Sequence, residues 1–279
     1  MIGVIDVGGG LRGIYGAGIF DRCLEDNIHF DYCIGVSAGS ANISSYLSGQ
    51  SGRNYVFYHD YPSRKEYMSL SSLLKTGSFL NIEYVYGTLS NEGGENPLDF
   101  EKMMKNPAVF KIVATDAESG KSVYFDKSDF AKNDYFPLKA SSSLPLVSVP
   151  AKRDGKLYFD GGISDGIPIE KAFADGCDKA VLILTHPIDY VRKYSPDLRI
   201  THRLIKRKFP NTALSISKID EGYNETIKNA LQYEKEGRLL ILAPKNTCGL
   251  KTLSKNKEKL DTLYKMGFED AEKIKDFIE

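Results

Sequence analysis

A serine set between small residues is the first place where this chain could do chemistry. Cys33-Ile34-Gly35-Val36-Ser37-Ala38-Gly39-Ser40 carries the spacing Gly-x-Ser-x-Gly, with an apolar run before it and a helical pattern after it. Small residues on both sides let a chain turn sharply from strand to helix and hold the Ser37 hydroxyl above the sheet edge. The helix N-terminus then favours negative charge developing beside it. With glycine and serine each near ~7% of residues, three fixed positions arise by chance in roughly one chain in ten of this length. Taken alone, the spacing is equally that of a glycine-rich turn with a capping serine.

The second stretch is Val7-Gly8-Gly9-Gly10-Leu11-Arg12-Gly13, which follows an apolar run and opens a helix. Consecutive glycines can turn their amides toward one point and make an anion nest. Beside an activated serine, that nest would be an oxyanion hole. Gly8, Gly10 and Gly13 also match Gly-x-Gly-x-x-Gly, so a nucleotide- or flavin-binding enzyme is the rival reading. That fingerprint expects an acidic residue at the end of the second strand. Asp31 stands at the start of that strand, the wrong end to reach a ribose. The five donors of Arg12 suit either pinning loop carbonyls or meeting a substrate phosphate.

A serine nucleophile needs a proton acceptor. Of His29, His59, His186 and His202, His186 is the best placed for a triad, because it directly follows the apolar run Ala180–Thr185. The competing acceptor is Asp160 in Tyr158-Phe159-Asp160-Gly161-Gly162, where two glycines let a carboxylate approach another backbone closely. Desolvation there would raise its pKa and improve it as a base. The plain alternative is an Asp-Gly-Gly surface turn.

These residues need a frame. Ile2–Val7 and 30–35 read as short strands, each followed by a helical stretch, the first to about Asp26 and the second over 38–47. The runs 109–115 and 122–125 flank a Glu118-Ser119-Gly120 turn, and 147–151 and 157–159 flank Asp154-Gly155, the stronger hairpin signal. Ala180–Thr185 and 239–243 are continuous apolar runs, as strands buried on both faces are. Residues 211–236 and 254–278 read as polar-faced helices. The alternation predicts an α/β fold with a mostly parallel sheet covered by helices. No repeat, low-complexity segment or linker divides the chain, so 1–279 is expected to be a single domain.

Lysine and arginine number 37 and aspartate and glutamate 37, giving a net charge of zero. Composition thus gives no electrostatic reason to expect nucleic acid as a partner. The N-terminus shows no signal-peptide pattern, and charges interrupt every apolar stretch before about 18 residues, so no spanning helix is expected. Cys23, Cys33, Cys177 and Cys248 lie far apart, without zinc-site spacing, and read as free thiols of a cytoplasmic protein. Arg192, Lys193, Arg199, His202, Arg203, Lys206, Arg207 and Lys208 form a basic stretch with apolar residues between them. Residues 190–210 are therefore expected to be a lid or a weak, salt-sensitive contact with an anionic membrane surface. The segment around Leu70, Leu73, Leu74, Phe79, Leu80 and Tyr84 is expected to supply part of an apolar substrate site, although the leucine spacing fits an ordinary amphipathic core helix at least as well.

Together these pieces resemble the patatin-like phospholipases, in their bacterial cytosolic branch. Gly8–Gly13 is similar to that family's glycine loop, Gly35–Gly39 to its serine motif and Asp160–Gly162 to its Asp-Gly-Gly, in the family's order. Ala140-Ser141-Ser142-Ser143-Leu144-Pro145 resembles the small-residue segment before the aspartate. The resemblance implies a three-layer α/β/α fold and a serine acyl hydrolase of the phospholipase or lysophospholipase type, with a lipid or acyl ester as substrate. It implies Ser37 as nucleophile and Asp160 as base in a dyad. The oxyanion hole would lie in Gly8, Gly9 and Gly10 with Arg12 supporting the loop, and Gly13, Gly35, Gly39, Gly161 and Gly162 would shape the motifs. It implies neither metal nor cofactor. A slow lipid-binding regulatory protein of the same fold remains a further reading.

Overall fold

The computed structural model describes residues 1–279. The strands are β1 (Ile2–Asp6), β2 (Tyr32–Val36), β3 (Val109–Asp116), β4 (Ser122–Asp126), β5 (Ala151–Arg153), β6 (Lys156–Asp160), β7 (Lys179–Ile183) and β8 (Leu239–Leu242). The helices of the first half are α1 (Ile14–Glu25), α2 (Ala38–Leu47), α3 (Arg53–His59), α4 (Leu70–Thr76), α5 (Phe100–Lys105) and α6 (Phe136–Ser141). Those of the second half are α7 (Ile169–Ala174), α8 (Pro196–Ile205), α9 (Pro210–Ser217), α10 (Ile219–Lys235), α11 (Lys257–Asp270) and α12 (Lys273–Ile278).

All eight strands form one sheet in the order β5-β6-β3-β2-β1-β7-β8, with β4 pairing β3 off that path. The run β3-β2-β1-β7-β8 is parallel. β4 and β6 both run antiparallel to β3, and β5 is antiparallel to β6. Alternation of side chains builds a core on each face. Val4, Cys33, Val181 and Ile183 point into a core shared with α1, α2 and α11. Ile5, Ile34, Leu182 and Leu184 point into a second core shared with α7 and α10. The result is the three-layer α/β/α arrangement expected from the sequence. A small third cluster packs Ile205, Ala213 and Ile216 on Phe159 and Ile163, which seats α8 and α9 beside the end of β6.

Three boundaries differ from the sequence reading. The helix expected over 211–236 breaks at Lys218 into α9 and α10, and that over 254–278 breaks after Asp270. The hairpin around Asp154-Gly155 forms, with φ of 51° and 76° at the two turn residues, but its first strand begins only at Ala151. Val147 is drawn off instead, because its carbonyl accepts the amides of Phe79 and Leu80 at 2.8 and 3.1 Å. No helix is long and apolar enough to cross a membrane.

Candidate active site

β2 ends at Val36 and α2 begins at Ala38, so Ser37 alone makes the turn, with φ 54° and ψ −127°. A side chain at positive φ costs roughly 1–3 kcal/mol and persists only where its surroundings hold it. Here the Ser37 amide donates to Ser141 Oγ at 2.7 Å, and that hydroxyl donates to the Val113 carbonyl at 2.6 Å. The Ser40 hydroxyl donates to the Ser37 carbonyl at 2.6 Å. The flanking glycines are needed for approach: a Cβ on Gly39 would lie 2.2 Å from the Asp6 carbonyl oxygen, and one on Gly35 2.5 Å from Ser40 Cα.

Asp160 is the last residue of β6, opposite Ala114 of β3, and is almost fully buried. Its amide donates to Ser143 at 2.9 Å, its carbonyl accepts from Thr115 Oγ1 at 2.8 Å, and its Oδ1 accepts the Gly162 amide at 2.8 Å. Gly161 sits against the Val113 carbonyl. The strand pairing and the Ser141–Val113 link thus bring Asp160 and Ser37 to one edge of the sheet. Burial pushes the Asp160 carboxyl up to about 6, opposed first by the Ser37 hydroxyl and then by the Gly162 amide and Arg192. Oδ2 nevertheless has no hydrogen bond of ordinary geometry. The serine hydroxyl therefore lies near the carboxylate without closing a bond of ordinary geometry.

The glycine loop packs on the same turn. A Cβ on Gly8 would lie 2.4 Å from the Val36 carbonyl oxygen. The Gly8 amide donates to Asp6 Oδ1 at 2.9 Å, and its carbonyl accepts from Thr185 Oγ1 at 2.5 Å. Gly8 is thus committed to holding the loop, whereas the amides of Gly9, Gly10 and Ala38 meet no protein acceptor. Gly10, Ser37 and Ala38 line one cavity of about 60 Å³. The buried Arg12 donates to Thr252 Oγ1 at 3.3 Å, and the Thr252 carbonyl accepts the Leu11 amide at 2.8 Å, so a C-terminal residue braces the loop. The Gly13 carbonyl accepts from Asn42 Nδ2 at 2.9 Å.

Asp6 was not among the residues singled out from the sequence, and Ser141 was named only as part of the small-residue segment before Asp160. Asp6 is fully buried, with Oδ2 accepting from Asn42 Nδ2 at 2.8 Å, and burial pushes its carboxyl up to about 6. The signal for it was a charge inside an apolar strand, which is rarely buried without a partner. His186 makes no hydrogen bond to a carboxylate; it stacks on Tyr190 with centroids 3.9 Å apart. Burial, then Arg12 and Arg192, push its pKa down to about 4. Asp31 is at the opposite end of β2 from the glycine loop, where its Oδ2 accepts the Ile2 amide at 2.8 Å.

The expected acyl segment is only partly at the cavity. Leu80 lines it, but Leu70, Leu73 and Leu74 do not. Leu74 is 88% exposed and Leu70 70%, so the outer face of α4 belongs neither to the cavity nor to a core. The three leucines do share one helix face, but α4 is set with that face toward solvent.

Among curated proteins, YjjU of Escherichia coli is 28% identical over 199 residues, covering 67% of this chain and 52% of that protein. NTE family protein Rv1063c of Mycobacterium tuberculosis is 24% identical over 175 residues, covering 63% and 46%. The chain spans about half the length of these relatives. The crystal structure of VipD from Legionella pneumophila aligns with a TM-score of 0.49 at 12% identity, over 98% of this chain and 66% of that one. Residues 209–279 match a domain of unknown function, DUF6363. Residues 7–173, which hold the glycine loop, Ser37 and Asp160, match the patatin-like phospholipase family, and the chain belongs to that family.

Proposed function

We propose that this protein is a serine acyl hydrolase acting on lipid or related acyl esters through a Ser37–Asp160 dyad. The observation that carries the reading is the buried Asp160 carboxylate with an open Oδ2 beside a serine held at positive φ. In this reading Ser37 Oγ attacks the ester carbonyl while Asp160 takes its proton. The oxyanion is held by the uncommitted amides of Gly9, Gly10 and Ala38, with Gly8 and Arg12 holding the loop in place. The carbonyl re-forms, and the alcohol leaves with the proton from Asp160. Water, deprotonated by Asp160, then attacks the acyl-serine, the Ser37 Oγ–acyl bond breaks with the proton passing from Asp160 to Oγ, and the carboxylic acid is released. A dinucleotide site would leave the second glycine, Gly10, open to the pyrophosphate, whereas here the Thr252 carbonyl oxygen would lie 2.3 Å from a Cβ on Gly10, which favours the hydrolase reading.

Two wider features belong to the same proposal. β8 joins the sheet beside β7, and Thr252 braces the glycine loop, which supports reading 1–279 as one domain. α8 turns Ile205 inward but leaves Ile200 and Leu204 exposed among Arg199 and Arg203, which supports a weak peripheral contact with anionic lipid. The test of the dyad is hydrolysis of a p-nitrophenyl ester. Ser37→Ala is expected to abolish it in a folded protein, with Asp160→Asn nearly as damaging and His186→Ala mild. Undiminished turnover in folded Ser37→Ala would remove Ser37 as the nucleophile, and total loss in folded His186→Ala would favour a triad.

A further inference from the structure

The cavity that opens at Ser37 is mostly apolar, as an acyl site should be, yet one of its walls is an arginine. Arg53 lines it and is only 8% exposed. Its Nη1 donates to Ser45 Oγ at 3.0 Å, and its Nη2 to Ser90 Oγ at 2.9 Å and the Asn96 carbonyl at 3.1 Å. The guanidinium also stands 4.5 Å from the centroid of the Phe57 ring. Every one of these partners is neutral. The groups nearest to it electrostatically are Tyr86, Tyr135 and Tyr61, with no carboxylate among them. Its Nε–H is buried and has no acceptor. Burial lowers its pKa to about 10, so it stays charged at neutral pH. A buried cation without a counter-charge is costly, and a fold that only needed to bridge α3 to residues 90–96 could do so with a neutral side chain.

Position adds to this. Ser37 stands at the N-terminus of α2, and Ser45 is eight residues further on, roughly 12 Å along the helix axis. Arg53 therefore lies well down the cavity from the Ser37 hydroxyl.

We infer that this cavity selects acyl groups whose far end carries a carboxylate, with the ester carbonyl at Ser37 and the terminal carboxylate on Arg53. The inference rests on the acyl-hydrolase reading and names the substrate class of that same site. The leaving alcohol lies outside the cavity and does not enter the selection. A carboxylate there supplies the missing acceptor for Nε–H and the missing negative charge, and charge-assisted bonds to a guanidinium are among the stronger ones.

The experiment compares p-nitrophenyl hexanoate with the p-nitrophenyl half-esters of glutaric, adipic and suberic acids, on wild type, Arg53→Met and Arg53→Lys, with folding checked by thermal melting. Wild type is expected to favour the best half-ester over hexanoate by roughly tenfold to a hundredfold in kcat/KM, the range for a hydrogen bond to a charged group. Arg53→Met is expected to reverse that ratio and Arg53→Lys to keep part of it. The wild-type ratio decides the matter even if Arg53→Met fails to fold. Ser37-dependent turnover of hexanoate with every half-ester slower overturns the inference and leaves the hydrolase reading standing. So does a wild-type preference that persists unchanged in folded Arg53→Met. No Ser37-dependent turnover of any ester overturns both.

Discussion

Two carboxyls decide the pH behaviour of the site. In the proposed dyad Asp160 must be ionised to accept a proton from Ser37, and burial places its pKa at about 6. Asp6 titrates at about the same pH, and its ionised form is the better acceptor for the Gly8 amide that fixes the glycine loop. Activity is therefore expected to fall below pH 6 with a slope steeper than one proton. Asp6→Asn should return the slope to one, as a pH profile of kcat/KM would measure. Stability carries the opposite sign. Because the folded pKa of Asp160 stands above the unfolded value of 3.8, the folded state binds more protons between pH 3.8 and 6, and stability falls as pH rises through that window. The 6 − 3.8 = 2.2 pH units amount to at most about 3 kcal/mol. Asp160→Asn should then melt above wild type at pH 8, with the gap closing toward pH 4. That Ser37 and Asp160 would come together was legible because each sits in a spaced group of small residues. The roles of Asp6 and Arg53 were not, and the segment holding Ser141 was noticed without its bond to the Ser37 amide, because these contacts come from partners brought near by the sheet and by α2 rather than from neighbours in the chain.

The strands were read more faithfully than the helices, for a physical reason. Runs buried on both faces, such as Ala180–Thr185, carry the same apolar signal at every position. The break at Lys218 between α9 and α10 interrupts a pattern that is helical on both sides. α4 shows the limit of periodicity: leucines at helical spacing predict a buried face, and here that face is in solvent. α8 shows what patterning can carry. It buries Ile205 on the cluster that includes Phe159, next to Asp160, and leaves Ile200 and Leu204 exposed beside basic residues. Each lysine or arginine near an anionic surface adds roughly 1 kcal/mol, and salt weakens it. Wild type is therefore expected to co-sediment with anionic vesicles at low salt and less at high salt. The triple variant Arg203→Glu/Lys206→Glu/Arg207→Glu should lose most of that binding. Equal sedimentation of the two proteins would remove α8 as the contact.

Across the whole molecule, the site draws on both ends of the chain. The glycine loop comes from the first 13 residues, while its brace, Thr252, lies in the region that matches DUF6363. That region also supplies β8 and packs Leu260 and Leu263 of α11 into the core beneath α1. The sequence made the sheet legible but not this dependence, since nothing local to Thr252 marks it as a partner of Arg12. Thr252→Val removes the only side-chain acceptor of Arg12 at little change in volume. It should lower kcat about two- to tenfold, the worth of one net hydrogen bond, with the melting temperature nearly unchanged. The dyad itself is tested most directly by a fluorophosphonate probe at pH 8, where Asp160 is ionised. The Ser37 oxygen would attack phosphorus, fluoride would leave, and mass spectrometry would find the adduct on the peptide containing Ser37 and none in Ser37→Ala. A folded wild-type protein that stays unlabelled at Ser37, or takes the probe on another residue instead, would contradict the account.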